Sequence, residues 1–184
     1  MVGYKNIAEQ FNKGLDLNWR YRREFALGDL TLSGRVSHIL DWTQQVFVAS
    51  SPTVLNSRIG RPETVGELNV RFDHGDWTAN WSVDYVGPTD NDKFQAASIQ
   101  GERGTFLGED GYFKRTTDEY LTHSISIRRR MDKWTLQAGL QNVFNENPPY
   151  LGLNSGASVI GNVPLASQYD WSGRTAFVNI GRTF

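Results

Sequence analysis

Three histidines, His38, His74 and His123, are the side chains in this sequence best suited to bind a metal or move a proton near neutral pH. They are too scattered for metal-ligand spacing. Cysteine is absent, which removes thiolate zinc sites, cysteine nucleophiles and disulfide frames together. His123 is followed by Ser124, a base beside a hydroxyl, but adjacent residues of a strand point to opposite faces and cannot share the hydrogen bond a nucleophile needs. Gly101-Glu102-Arg103-Gly104 lacks the Lys-Ser/Thr and the strand-to-helix setting of a phosphate loop. Asp90, Asp92, Glu109 and Asp110 offer oxygen donors for a cation, and the simpler reading is a solvated acidic loop. A net charge of −1 gives no electrostatic case for nucleic acid. No catalytic residue, metal site or cofactor is assigned, and the chain does not read as an enzyme.

The elements that must position any functional residue are strands. Leu15, Leu17, Trp19 and Tyr21 alternate with Asp16, Asn18, Arg20 and Arg22, predicting a first strand over Gly14–Arg22. Gly28-Asp29 reads as a short turn, and a second strand follows over Leu30–Ile39. A third, Val65–Asp73, sets Leu68, Val70 and Phe72 against Glu67, Asn69 and Arg71. His74-Gly75-Asp76 makes a tight turn, with glycine supplying a positive φ. A fourth strand, Trp77–Val86, has the clearest alternation. The fifth, Tyr120–Arg130, and the sixth, Trp134–Phe144, flank a turn at Met131-Asp132-Lys133. The seventh closes the chain, with Phe184, Ile180, Val178 and Ala176 on one face and Thr183, Gly181 and Asn179 on the other, which also carries Phe177.

Short and long connections alternate strictly along these strands. The long ones are Asp41–Arg61, Gly87–Asp118 and Asn145–Ser172, of 21, 32 and 28 residues. A compact sandwich seldom holds three unstructured loops of that length, whereas outer-membrane barrels combine short periplasmic turns with long extracellular loops. The apolar faces of the strands are aliphatic and aromatic, and the opposite faces carry Asp, Asn, Arg, Glu, Ser and Thr, which suits lipid outside and a wet interior. The longest wholly apolar run is Val46-Phe47-Val48-Ala49, far short of the ~20 residues of a membrane-crossing helix. Low averaged hydropathy says nothing against a barrel, because alternating strands average out.

With the short turns in the periplasm, the last strand ends there and the first starts at the cell surface. Bacterial single-chain barrels have an even strand count with both ends inside, so seven strands imply more strands ahead of the first. No secretory signal follows Met1, so the chain is expected to be a mature or truncated piece. Arg20, Arg22, Arg23, Arg71, Arg128, Arg129, Arg130 and Arg182 gather near the turn ends of their strands, where they would meet acidic lipid heads or an acidic partner inside the barrel, or simply mark the depth at which a charge costs little. Trp19, Tyr21, Trp77, Tyr85, Trp134 and Phe144 are placed near strand ends as interfacial girdles.

Several segments resemble the late barrel of TonB-dependent receptors. These are Gly14-Leu15-Asp16-Leu17 with the Leu-Gly-Asp turn that follows, Gly60-Arg61-Pro62 entering the third strand, and Leu140-Gln141-Asn142-Val143-Phe144-Asn145-Glu146-Asn147-Pro148-Pro149 in the sixth. Tyr169-Asp170-x-x-Gly173-Arg174, leading to a terminal Phe184, is similar to the family's closing signature. The resemblance implies an all-β, antiparallel up-and-down transmembrane barrel of about 22 strands plugged by an amino-terminal domain, of which residues 1–184 would be the carboxy-terminal part without plug or TonB box. It implies TonB-energised uptake of a scarce ligand such as a ferric siderophore, haem, cobalamin or an oligosaccharide. The expected partners are outer-membrane lipid, the amino-terminal barrel and plug, the TonB complex and the barrel-assembly machinery, which reads the final aromatic strand. Ligand contacts are expected in the long loops, with Tyr112, Phe113, Tyr150 and Trp171 as candidates. A soluble β-sandwich binding module, or an outer-membrane barrel enzyme, remains as an alternative.

Overall fold

The computed structural model describes residues 9–47, 50–91, 103–106, 109–112, 114–152, 159–165 and 168–183, with backbone alone for 103–112. Every regular element among them is a strand. In chain order they are β1 (Glu9–Phe25), β2 (Gly28–Gln45), β3 (Thr53–Val54), β4 (Thr64–His74), β5 (Trp77–Val86), β6 (Thr89–Asp90), β7 (Arg103–Phe106), β8 (Glu109–Tyr112), β9 (Thr116–Thr117), β10 (Tyr120–Met131), β11 (Trp134–Gln141), β12 (Val159–Ile160), β13 (Val163–Pro164) and β14 (Thr175–Arg182). Seven of them form one wall in the order β1-β2-β4-β5-β10-β11-β14, each antiparallel to the next. The seven predicted strands are thus the wall strands, in up-and-down order. The wall is open: β1 and β14 stand at its two edges and do not pair with each other.

The expected boundaries shift in four places. β1 and β2 run about five residues further toward the loop end than their alternation suggested, because β2 carries a bulge. Lys13 pairs with Asp41 but Gly14 with Ile39, leaving Leu40 as the extra residue. A bulge flips the face of everything beyond it, so the period-two pattern breaks while the pairing continues. The first turn is Ala26-Leu27, not Gly28-Asp29. Gly28 instead opens β2 at φ 142°, where a Cβ would stand 2.2 Å from the Asp73 carbonyl oxygen of β4. β11 stops at Gln141 and not at Phe144, since Asn142 takes φ 48° and leaves the strand. The long connections are also more ordered than expected: β3 adds to β2, β6 pairs β9, β7 pairs β8, and β12 pairs β13. Backbone donors and acceptors that leave the wall still need partners.

The registers sort the wall into two faces. One holds Leu17, Tyr21, Leu32, Leu68, Val70, Trp81, Ile125, Ile127, Leu136, Leu140, Val178 and Ile180; the other holds Asp16, Arg20, Ser33, Glu67, Arg71, Asp84, Thr122, Ser124, Arg128, Gln137 and Asn179. The apolar face is uncovered: Leu17 is 60 %, Val178 66 % and Ile180 69 % exposed. A sandwich would pack a second sheet on that face, and no described strand does so. Leaving each such side chain in water forgoes ~1.5–3 kcal/mol, a cost that an apolar cover on this face would remove. Trp19 lies flat over Gly34 of β2 on this face, with its indole where a Gly34 Cβ would be, 2.7 Å away.

Candidate functional site

Apart from Thr78, at the turn end of β5, the buried side chains collect at the loop end of the polar face. Among the described hydrophobic residues Leu55, Val86, Tyr120, Leu151 and Tyr169 are buried, and beside them Ser57, Thr89, Asn91, Arg115, Thr117, Thr122 and Asn142. The three long connections knit into one cap. Asp90 N donates to the Ser57 carbonyl at 2.7 Å, Ile59 N to Asn91 Oδ1 at 3.0 Å, and Asn91 N to the Arg115 carbonyl at 3.1 Å. Gly152 N then reaches the Lys114 carbonyl at 2.7 Å, tying the third connection to the second.

Beneath this cap the polar face forms a cleft of about 930 Å³. Its floor is the wall, with Arg35 and Ser37 from β2, Glu67 from β4, Asp84 from β5, and Thr122 and Ser124 from β10; its side is the segment Gln168 to Ser172. Arg35 pairs with Glu67 at 2.6 Å, and Asn69 Nδ2 donates to the same carboxylate at 2.5 Å. Asp84 sits opposite Glu67 in the register. The cleft therefore offers three carboxylates (Glu67, Asp84 and Asp170), one guanidinium, several hydroxyls and the Trp171 ring, 44 % exposed. That set can hold a polar ligand by hydrogen bonds with a ring against it. The Ser37 hydroxyl in it donates to the Asp16 carboxylate at 2.5 Å, and no group of three or more His, Cys, Asp or Glu able to hold a metal occurs among the described residues.

The motif residues build the hinge between wall and cap. Asn142 donates from Nδ2 to the Glu146 carbonyl and accepts from Glu146 N at Oδ1, both at 2.8 Å. Its left-handed backbone turns the chain out of β11. Asn145 Oδ1 accepts from Arg174 N at 2.9 Å, and Gly173, at φ 65°, comes within 3.1 Å of that oxygen where a Cβ would be. The two motif stretches, far apart in sequence, thus fasten each other at the mouth of β14. Tyr169 is buried edge-on against Tyr120, centroids 5.4 Å apart, with its hydroxyl 3.5 Å from Thr117 Oγ1. Burial pushes the Tyr169 phenol above its usual range. Asp170 takes the Ser172 N–H on its carboxylate at 2.8 Å and, through its carbonyl, the Tyr120 hydroxyl at 3.4 Å.

The other sequence candidates separate. Tyr150 lines a second, smaller cleft with Lys114, Glu119, Glu146, Pro148 and Pro149, away from Trp171. Tyr112 pairs with Arg103 in the β7–β8 hairpin, and Phe113 and Phe184 lie outside the described residues. Ala176, Val178 and Ile180 share the apolar face as expected, but Arg182 stands there too, its guanidinium 5.1 Å from the Trp134 centroid. His123 and Ser124 do point to opposite faces: His123 stacks on Trp81 at 5.8 Å and meets Phe144 edge-on at 5.0 Å. His74 Nδ1 meets the Leu27 carbonyl and fastens two turns together. Trp19 and Tyr21 lie inside β1, which ends at Phe25, so they are not strand-end aromatics; Trp77 and Trp134 are. The Arg35–Glu67–Asp84 floor was not singled out from sequence. Its signal was present only as polar residues at inward positions of three different strands.

A family profile for the TonB dependent receptor-like β-barrel matches residues 2–143. No curated protein and no solved structure matches the chain. The match covers the wall from β1 to the end of β11 and includes Asn142 but stops before Asn145, so the Asn145–Arg174 contact and β14 lie beyond it. With an all-β, up-and-down wall, an uncovered apolar face and a polar cleft under knitted loops, the chain belongs to the TonB-dependent receptor β-barrel family.

Proposed function

We propose that residues 1–184 supply the carboxy-terminal wall of an outer-membrane receptor that imports a scarce polar ligand, with the short turns in the periplasm and the cap at the cell surface. The observation that carries this reading is the two-faced wall: apolar side chains with no cover on one side, and a polar, loop-capped cleft on the other. Edge strands cannot stay open in lipid. The unpaired edges of β1 and β14 therefore take strands from the rest of a larger barrel, whose plug and TonB-contacting segment lie outside these residues. Energy comes through TonB, the ligand is a ferric siderophore, haem, cobalamin or an oligosaccharide, and the reaction is transport with no catalysis. Phe184 and the apolar face of β14 serve recognition by the assembly machinery.

Growth of a receptor-deletion strain on a panel of those four ligand classes tests this. Restoration by the full-length receptor on one class, abolished by a proton-gradient uncoupler and lowered by Glu67→Ala or Trp171→Ala at unchanged receptor level, is the expected result. Uptake that survives the uncoupler, or a receptor recovered in the soluble fraction, refutes it.

A further inference from the structure

The charge balance of the cleft under the cap narrows what it can hold. Arg35 is the one cation among its described lining residues, against the carboxylates of Glu67, Asp84 and Asp170. A ligand bearing its own carboxylates or catecholate oxygens meets a surplus of like charge there. Glu67 is held from two sides: Arg35 binds Oε2 at 2.6 Å and Asn69 Nδ2 donates to Oε1 at 2.5 Å. Both oxygens are thereby oriented, and each keeps acceptor capacity for a further donor. Asp84 stands exposed directly opposite in the β4–β5 register. Neutral hydrogen-bonding groups complete this floor, from Thr122, Ser124 and Gln141.

Trp171 stands at the side of this floor on a backbone that its neighbours anchor. Asp170 accepts the Ser172 N–H at 2.8 Å and, through its carbonyl, the Tyr120 hydroxyl at 3.4 Å, while Tyr169 is buried against Tyr120. The indole itself is left uncovered, a flat apolar surface on a fixed support. Oriented acceptors and hydroxyls beside a bare ring match a molecule with O–H donors around its edge and a C–H face, which is an uncharged sugar. The volume of about 930 Å³ lies near the top of the ~300–1,000 Å³ range of small-molecule sites and admits more than one sugar ring. We infer that this cleft binds a neutral oligosaccharide, with Glu67 and Asp84 accepting from sugar hydroxyls and Trp171 against the C–H face of one ring. Haem, with its propionates, and anionic ferric siderophores are the wrong charge for it. The inference rests on the transport reading above and narrows it.

The test probes the full-length receptor, purified in detergent, on an array of immobilised neutral and charged oligosaccharides, and then titrates the tightest neutral glycan by calorimetry. Heat-modifiable electrophoretic mobility reports the folded barrel for every variant. Trp171→Ala is expected to weaken binding about tenfold and Trp171→Phe distinctly less, since a ring remains. Asp84→Asn keeps the shape and removes the charge-assisted hydrogen bond, for a loss of about fivefold. Tyr150→Ala, in the other cleft, is expected to change nothing. Raising NaCl from ~0.05 to ~0.5 M should leave the affinity nearly constant, because an uncharged ligand offers nothing to screen. A receptor that binds no neutral glycan, folded Trp171→Ala and Asp84→Asn receptors with wild-type affinity, or a steep loss of binding in salt overturns the oligosaccharide assignment. Uncoupler-sensitive uptake of haem, a ferric siderophore or cobalamin in its place overturns that assignment and leaves the transport reading standing, whereas a receptor recovered in the soluble fraction overturns both.

Discussion

Asn142 offers the sharpest test of how the wall hands over to its cap. The residue is 1 % exposed and does two jobs at once: its amide holds both backbone groups of Glu146, and its φ of 48° turns the chain out of β11. Replacement by glycine keeps the left-handed backbone and removes the amide. Two hydrogen bonds are lost, each worth ~0.5–1.5 kcal/mol net where the freed groups regain water. Because Glu146 is exposed, its freed groups regain water and that range applies to both bonds, for a total of about 1–3 kcal/mol. Asn142→Ala adds the cost of forcing a Cβ-bearing residue into that region, ~1 kcal/mol more. Asn142→Asp keeps the acceptor for Glu146 N but sets a carboxylate against the Glu146 carbonyl, so it should fall near the glycine variant. The assay is limited proteolysis of the full receptor between residues 145 and 172, followed alongside urea unfolding in vesicles. Cleavage should rise in the order wild type, Gly, Ala, with the wall strands protected throughout. A glycine variant indistinguishable from wild type would remove any energetic role for the amide, and an alanine variant no worse than glycine would remove the backbone term.

Other consequences follow from single contacts. Gly139→Ala should cut the yield of folded receptor by a measurable fraction, at ~1–3 kcal/mol of overpacking, because its Cβ would lie 2.6 Å from the Ile125 carbonyl oxygen and the Phe177 ring. Gly181→Ala, on the same inward face of the neighbouring strand with nothing closer than 3.9 Å, should fold normally, and equal yields for the two variants would refute the close-approach reading. Tyr169 has a raised phenol pKa through burial, so its contribution to seating the third connection is complete below the ordinary tyrosine value of about 10 and is lost as pH rises through the higher folded value. Protease access to residues 145–172 should therefore jump at alkaline pH, and Tyr169→Phe, which keeps the ring, should abolish that jump. Arg35→Ala should change unfolding by less than ~1 kcal/mol, since the Arg35 side chain of the Arg35–Glu67 pair is 72 % exposed; a larger loss in urea titration would mean the cleft floor is drier than its exposure indicates.

The seven wall strands and the contrast of their apolar and polar faces were legible from alternation, while their up-and-down order was what the family resemblance implied. A strand's side chains have a period of two, and one face must be apolar throughout to meet hydrocarbon. The same rule failed where pairing and pattern part company. Leu40 shifts the phase of β2, so alternation understated β1 and β2 even though their hydrogen bonds continue. Asn142 ends β11 by its backbone conformation, which no hydrophobic pattern records. The motif residues could be singled out in sequence, but not the fact that Asn145 receives Arg174, 29 positions away, or that Tyr169 is buried on Tyr120. Nor could sequence separate the arginines near the turns into Arg71, locked on Asp73 inside, and Arg129 and Arg182, laid on tryptophans outside. The local chain dictated which residues alternate, because alternation is a property of one strand. Register between strands decided what each residue meets, because a contact across a sheet depends on the partner strand and on every bulge between it and the turn.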